Sequence, residues 1–194
     1  MIKNTKFFRI LQRRIKAIEK IFFPVKNLKG NYNPEEKDKI RSYSILAHAE
    51  LEYYFEEIAR YKSLSAFSKF KNNSLYKSTV LMGISSFHSC DCKQKNDLKE
   101  IIQESHSYYH NMLRNNHGIK ENNIKKILFP LGLLPDDIDP AWVSTLSSFS
   151  ATRGEFAHTS GSVKKIINPA DIKNDLEIIL KDLSDLDKKI NSLK

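Results

Sequence analysis

Cysteine, glycine and long apolar runs are scarce in this chain of 194 residues, and each scarcity excludes a class of protein. The two cysteines, Cys90 and Cys92, lie only two positions apart, so no disulfide framework is expected. The six glycines are scattered singly, which argues against a loop that cradles phosphates. No segment approaches the roughly 18 apolar residues of a membrane span, and no apolar leader opens the chain. We therefore expect a cytoplasmic protein without a membrane partner.

Basic charge is concentrated at one end of the chain. The formal net charge is +9, but residues 1–30 hold nine Lys or Arg and one Glu, a net charge of +8. The remaining residues hold 23 basic and 22 acidic side chains and are nearly neutral. Only the N-terminal segment can thus attract polyanions by net charge alone. The rest of the chain must recognise a target through specific groups.

Three segments carry the same helix-start signal, an Asn or Asp that can cap free amides followed by Pro at the first helical position. These pairs stand at 33–34, 139–140 and 168–169. Apolar spacing predicts helices over 34–62, 74–89, 96–116, from Pro140 to about 158, and from Pro169 onward. Because no segment alternates with period two, we predict an all-α fold: one helical domain over residues 31–194 behind an arm, residues 1–30.

The N-terminal arm has the pattern of a basic amphipathic helix. Its apolar stripe is Phe8, Leu11, Ile15, Ile18 and Phe22, and its other faces carry Arg9, Arg13, Arg14, Lys16 and Lys20. Pro24 and Gly30 follow it, as expected of a semi-independent arm. Three interpretations stay open: packing on the domain or on a second subunit, contact of the five basic side chains with an RNA backbone, and binding to a membrane surface.

Arg153 and His158, with four residues between them, are the strongest candidates for chemistry. Cleavage of RNA without a metal needs a group that moves a proton and a fixed cation for the charge that builds on the phosphate. Histidine titrates near neutral pH, and Arg can bind phosphate oxygens in a bidentate fork. Arg41 and His48 are a second Arg and His in similar order, but they lie inside a predicted uninterrupted helix, where pocket-lining or surface roles are expected.

Helix geometry constrains how this pair could act. Five residues at 100° each leave the side chains of Arg153 and His158 about 140° apart on a regular helix. They would not converge within one protomer unless the helix bends near Gly154. Otherwise a second chain must bring its own pair alongside, so the spacing predicts a homodimer.

Several motifs together resemble the HEPN superfamily, and they are most similar to its RiboL-PSP-HEPN branch. The motifs are Ala47-His48-Ala49-Glu50-Leu51-Glu52-Tyr53-Tyr54, Asn116-His117-Gly118-Ile119-Lys120, Phe129-Pro130-Leu131-Gly132, and Leu146 to His158 with Arg153-Gly154-Glu155. This resemblance covers about residues 35–190 and leaves out the basic arm. Arg153 and His158 match the pair that defines the family.

The resemblance implies a function as well as a helical bundle. It implies a dimer that pools two Arg-His pairs in one cleft and cuts RNA without metal or cofactor, in toxin-antitoxin or phage-defence settings with a cognate antitoxin or other partner. Candidate supporting residues are His48, Glu52, Gly154, Glu155 and Thr159. Many members carry Asn, Asp or His directly after the Arg, where this chain has Gly154, so a non-catalytic module that binds RNA or protein is the alternative.

Two further groups of residues are weaker candidates. His88, Cys90 and Cys92 stand close together, and His106 and His110 share a helix face, so these residues could hold zinc. The Cys-x-Cys spacing is not that of a zinc knuckle, so we interpret them as loop and surface residues and expect no metal. Glu50, Glu52, Glu56 and Glu57 with Arg60 are expected to form a solvated helix face.

Overall fold

The computed structural model describes residues 2–23, 32–73, 75–88, 97–158 and 168–194, and for residues 155–158 it describes the helical backbone alone. These ranges contain helices and no strand, as the sequence predicts. The α-helices are α1 (Lys6–Phe22), α2 (Pro34–Asn72), α3 (Thr79–Phe87), α4 (Leu98–Asn115), α5 (Glu121–Leu128), α6 (Pro140–His158) and α7 (Pro169–Ser192).

The three predicted Asn-Pro and Asp-Pro helix starts are confirmed. Asn33 accepts a hydrogen bond from the backbone N–H of Glu36, whose side chain in turn accepts from the Asn33 amide, so α2 begins with a complete capping box. Asp139 accepts from the Ala141 amide at 2.8 Å, and Asn168 accepts from the Ala170 amide at 3.1 Å. These caps fix where α2, α6 and α7 begin.

Helix α2 is the central element of the bundle. It is 39 residues long, about 58 Å at 1.5 Å per residue, and packs against α1, α3, α4, α5 and α6. It continues ten residues beyond the predicted end at 62, because no Pro or Gly interrupts residues 63–72 and both Ala66 and Phe70 are buried there. Helix α3 is shorter than predicted and begins after Ser78, whose hydroxyl accepts from the Leu81 amide.

Helix α5 was not predicted from the sequence. It has only eight residues, and Lys120 at its start provides no side-chain cap, so the usual start signal is missing. The chain then forms a 3₁₀ turn, Phe129–Leu131, that ends at Gly132 with a left-handed φ of 98°. This turn lies so close to α3 that a Cβ on Gly83 would approach the carbonyl oxygen of Pro130 to 2.5 Å.

Helix α1 packs on α2 through its apolar stripe. Four side chains of that stripe are at most 4% exposed and belong to the same core as the inner face of α2: Phe8, Leu11, Ile15 and Ile18. Among the described residues, α1 thus packs on the rest of the domain. Its basic residues lie on its exposed side. No helix among the described residues combines the length and apolarity that crossing a bilayer requires.

Candidate active site

A cavity of about 710 Å³ lies where α2 and the C-terminal part of α6 meet the loop between α4 and α5. Its lining includes four residues that were candidates from sequence, Arg153, His48, Glu52 and Gly154. It also includes residues that were not candidates: His117, Lys120, Asn123 and Ser150. Cationic, anionic and titratable groups from three parts of the chain therefore border one space.

The helices place these side chains by their period. On α2, His48 and Glu52 are four residues apart and share a face. On α6, Ser150 and Arg153 are three residues apart, while Leu146 and Phe149 are buried in the core. Contact between α2 and α6 then brings the two polar faces together.

His48 is almost completely buried and joins the two helices. Its Nε2 lies 3.1 Å from the Ser150 hydroxyl oxygen, and its ring stacks on Phe149 with centroids 6.5 Å apart. Burial lowers the pKa of His48; the Glu52 carboxylate opposes that shift, and the Arg153 guanidinium adds to it. The imidazole is therefore favoured in its neutral form near pH 7, with Nδ1 buried and without a hydrogen-bond partner in the described part of the chain.

Arg153 is half-buried at the cavity, and its Nε is buried. That Nε has no hydrogen-bond partner within the described ranges, and no carboxylate there forms an ion pair with the guanidinium. A buried donor without a partner costs about 1–3 kcal/mol, which an oxyanion in the cavity would recover. The guanidinium is thus suited to bind a phosphate group.

The loop between α4 and α5 is held against the cavity by defined hydrogen bonds. Gly118 has a left-handed φ of 97°, and its amide donates to Glu52 Oε1. The side-chain Nδ2 of Asn123 donates to the carbonyl oxygen of His117 at 2.8 Å. The sequence drew attention to His117, Gly118 and Lys120 only as part of a family motif and assigned them no role of their own. The signal that could have predicted a turn here is the Gly next to a His.

Three further sequence candidates follow Gly154 along the chain. His158 is the last residue of this helix, but the side chains of His158 and Glu155 lie outside the described residues, as does Thr159 entirely. Helix α6 runs through Gly154 without interruption. Among the described residues, nothing lies within 4 Å of a Cβ added at Gly154, so this part of the chain leaves the position open.

The basic residues of α1 divide into two groups. Arg14 Nε lies 2.9 Å from Glu50 Oε1 and so forms an ion pair with α2. Lys20 is exposed in the last turn. Arg9, Arg13 and Lys16 are exposed and border a shallow depression of about 550 Å³. The last three are therefore the exposed side chains of this set that lie around one depression.

The interpretation of His106 as a surface residue is wrong, because its side chain is buried and stacks on Phe67 with ring centroids 4.2 Å apart. His110 lies beside it and is within 2.9 Å of the Ser63 hydroxyl. Cys90 and Cys92 lie outside the described residues. The prediction of a solvated acidic face is also wrong, because the side chains of Glu52, Glu56 and Glu57 are only 21%, 24% and 28% exposed.

Comparison with known proteins identifies a matching family. The model of the family described as RiboL-PSP-HEPN matches residues 9–192. The match is longer than the 35–190 expected from the motifs, because it takes in most of α1. No curated protein and no solved structure matches the chain significantly.

Proposed function

The chain belongs to the RiboL-PSP-HEPN family, and from this premise we propose that it is a metal-independent endoribonuclease whose catalytic residues are Arg153 and His158. Family membership suggests a ribonuclease or an RNA-binding function. The observation that carries the finer proposal is the unpaired Nε of Arg153 in a cavity bordered by titratable groups, on the same helix that ends at His158.

In the proposed reaction the 2'-oxygen attacks phosphorus and the bond to the 5'-oxygen breaks. A proton leaves the 2'-hydroxyl and a proton reaches the departing 5'-oxygen, so the products are a 2',3'-cyclic phosphate and a 5'-hydroxyl. His158 transfers the proton, and Arg153 stabilises the extra negative charge on the phosphate oxygens in the transition state. Neither role requires a metal ion.

His48 and Glu52 are positioning residues in this proposal. His48 contacts Ser150, one turn before Arg153, and so helps to fix the part of α6 that carries the guanidinium. Glu52 holds the loop that closes the cavity by accepting from the Gly118 amide. His48 acts through its neighbours, since it is 1% exposed and has little access to a substrate.

The proposal extends to the assembly and its setting. Two protomers pool their Arg-His pairs in one cleft, and the basic face of α1, above all Arg9, Arg13 and Lys16, contacts the RNA backbone. The protein acts as a toxin in a toxin-antitoxin or phage-defence system, where a cognate antitoxin or another partner restrains it. Uncontrolled cleavage of cellular RNA would arrest growth, which explains why a restraining partner is needed.

The test is RNA cleavage by purified protein in EDTA, with mapping of RNA ends from cells that express it. His158→Ala and Arg153→Ala should each reduce cleavage and growth arrest by several orders of magnitude while the thermal unfolding midpoint stays near that of the wild type. Arg41→Ala is the matched control, since Arg41 contacts Asp38 and does not line the cavity. Full toxicity of His158→Ala would refute the assignment.

A second candidate is a module that binds RNA or protein without cleaving it. Gly154 favours it, because no polar side chain follows Arg153 at a position with open space around it. The same expression test separates the two: growth arrest that depends on His158 supports the enzyme. RNA binding that depends on Arg153, with no arrest and no new RNA ends, supports the module.

A further inference from the structure

At the edge of the cavity, α2 and the loop before α5 bring two carboxylates and an imidazole close together. Glu52, Glu56 and His117 each offer a ligand atom, and these three atoms all lie within 4.8 Å of one another. Ligands bound to one dication at about 2.1 Å in tetrahedral geometry are about 3.4 Å apart. Small side-chain rotations would therefore bring the three atoms into coordination distance.

The two carboxylates share one helix face at partial burial. Glu52 and Glu56 are four residues apart on α2, and their side chains are only 21% and 24% exposed. Burial raises the pKa of Glu56, and the Glu52 charge raises it further. The guanidinium of Arg60 is 4.0 Å from Glu56 and closer to Glu57, at 3.3 Å. Negative charge at this pair is thus incompletely balanced, so a cation would stabilise both carboxylates.

The backbone at His117 is held in place independently of any cation. Its carbonyl oxygen accepts from Asn123, and the following Gly118 amide donates to Glu52. One of the two carboxylates therefore anchors the loop that presents the imidazole. This preorganisation distinguishes the cluster from acidic side chains scattered on a surface.

We propose that Glu52, Glu56 and His117 form a binding site for a first-row transition-metal dication such as Zn²⁺, with water completing its coordination. A mixed set of imidazole and carboxylates suits such ions, whereas Mg²⁺ prefers oxygen ligands alone. The site borders the cavity of Arg153, but the ion takes no part in the proposed cleavage. Metal binding and RNA cleavage can therefore be tested independently, and failure of one would not contradict the other.

The experiment is calorimetric titration of the full chain with ZnCl₂, MnCl₂ and MgCl₂ at pH 7.5. The background variant is Cys90→Ser/Cys92→Ser, because thiolates elsewhere in the chain could bind Zn²⁺ themselves. We expect one Zn²⁺ per chain, weaker binding of Mn²⁺, and no binding of Mg²⁺.

Loss of a ligand should weaken Zn²⁺ binding by at least about tenfold in Glu56→Gln and in His117→Gln. Glu50→Gln is the matched control, since Glu50 loses the same charge from the same helix but pairs with Arg14. Its affinity should equal that of the background, and circular dichroism should show equal helicity in all variants. Absence of one-to-one Zn²⁺ binding, equal affinity in the two ligand variants and the background, or an equal loss in Glu50→Gln would each overturn the site.

Discussion

His106 is buried between Phe67 and His110, and its Nε2 has no hydrogen-bond partner within the described ranges. Burial lowers the pKa of His106 to about 4, and the charges of His110 and Lys71 act in the same direction. In the unfolded chain this imidazole titrates near 6.5. Between these two pKa values, His106 is therefore mostly neutral in the folded protein and mostly protonated in the unfolded chain.

This difference predicts how stability depends on pH. As pH falls from about 6.5 towards 4, the unfolded state takes up a proton that folded His106 does not, so the free energy of unfolding falls by up to about 1.4 kcal/mol per pH unit. His48 and His110, whose pKa values burial also lowers, add to this loss. In His106→Phe, urea unfolding between pH 6.5 and 4 should show a shallower loss. Parallel pH profiles for variant and wild type would contradict this account.

Gly154 is a second residue with a measurable consequence. It lies inside α6 at an ordinary helical conformation, and an added Cβ would meet no described residue within 4 Å. Gly154→Ala should therefore raise the free energy of unfolding by up to about 1 kcal/mol, because Ala loses less backbone freedom on folding. Gly154→Asn supplies the polar side chain that many family members have there and should increase the rate of RNA cleavage. Unfolding curves and initial cleavage rates check the two variants, and a destabilised Gly154→Ala would contradict the first.

At the scale of elements, a buried carboxylate ties α1 to α7. Asp187 is completely buried and accepts hydrogen bonds from the Thr5 amide at 2.7 Å, the Thr5 hydroxyl at 2.6 Å and the Tyr54 hydroxyl at 2.8 Å. Thr5 also caps α1 by accepting from the Phe8 amide. The start of α1, the middle of α2 and the end of α7 thus meet at one side chain.

Replacing Asp187 by Ala should destabilise the protein by about 3 kcal/mol or more, because it leaves buried donors of Thr5 and Tyr54 without an acceptor. Urea unfolding measures the loss. Asp185→Ala is the matched control: Asp185 is exposed and, within the described part of the chain, pairs only with Lys188 at 2.7 Å, so its removal should change stability by no more than about 0.5 kcal/mol. Equal effects in the two variants would rule out the proposed tie.

The exposed face of α1 gives a prediction about RNA binding. Deletion of the helix would remove four core side chains, so substitutions test its charge more cleanly. Replacing Arg9, Arg13 and Lys16 together by Gln should weaken RNA binding and flatten its salt dependence, by up to about 0.7 in the logarithmic slope for each phosphate that is no longer neutralised. Fluorescence anisotropy across a salt series measures this slope.

The control for this measurement removes three exposed charges elsewhere on the domain, by changing Lys77, Lys126 and Lys181 to Gln. If the two triple variants show the same reduction in salt dependence, net charge explains the effect and the face of α1 has no special role. Retention of wild-type binding by the α1 variant would likewise exclude that role.

At the scale of the whole molecule, local signals predicted most of the helices, and tertiary contacts decided the rest. Caps at 33, 139 and 168 marked three helix starts because a cap involves neighbouring residues alone. Helix α5 escaped prediction, since it is short and begins at Lys120 without a cap. His106 lies on a helix with many polar neighbours, and only the packing of α2 against α4 brings Phe67 over its ring.

The candidate site could be predicted only in part, because local signals mark single residues and tertiary contacts bring them together. Arg153 stood out by its spacing and context, and His48 and Glu52 were named as possible neighbours. Their common cavity depends on the contact of α2 with α6, which no local pattern specifies. His117 joins them through a left-handed turn at Gly118 and a hydrogen bond from Gly118 to Glu52, residues 66 positions apart in the chain.

Helix α6 is uninterrupted, and this affects whether one site can be formed by a single chain or requires two. Arg153 and His158 belong to a single helix without a break at Gly154, so their positions remain about 140° apart around its axis. Convergence of an Arg and a His on one phosphate is then easier between two chains than within one. We therefore expect each scissile phosphate to meet Arg153 of one protomer and His158 of the other.

Mixing two inactive variants tests this arrangement. In a dimer of Arg153→Ala with His158→Ala, one composite site has both residues intact and the other has neither. Random reassembly of an equal mixture makes half of the dimers mixed, so cleavage should recover to about a quarter of the wild-type rate. Co-purification through two different tags confirms that mixed dimers formed. If they form and remain inactive, one Arg153 from one protomer and one His158 from the other are not sufficient for cleavage, and the proposed composite site is wrong.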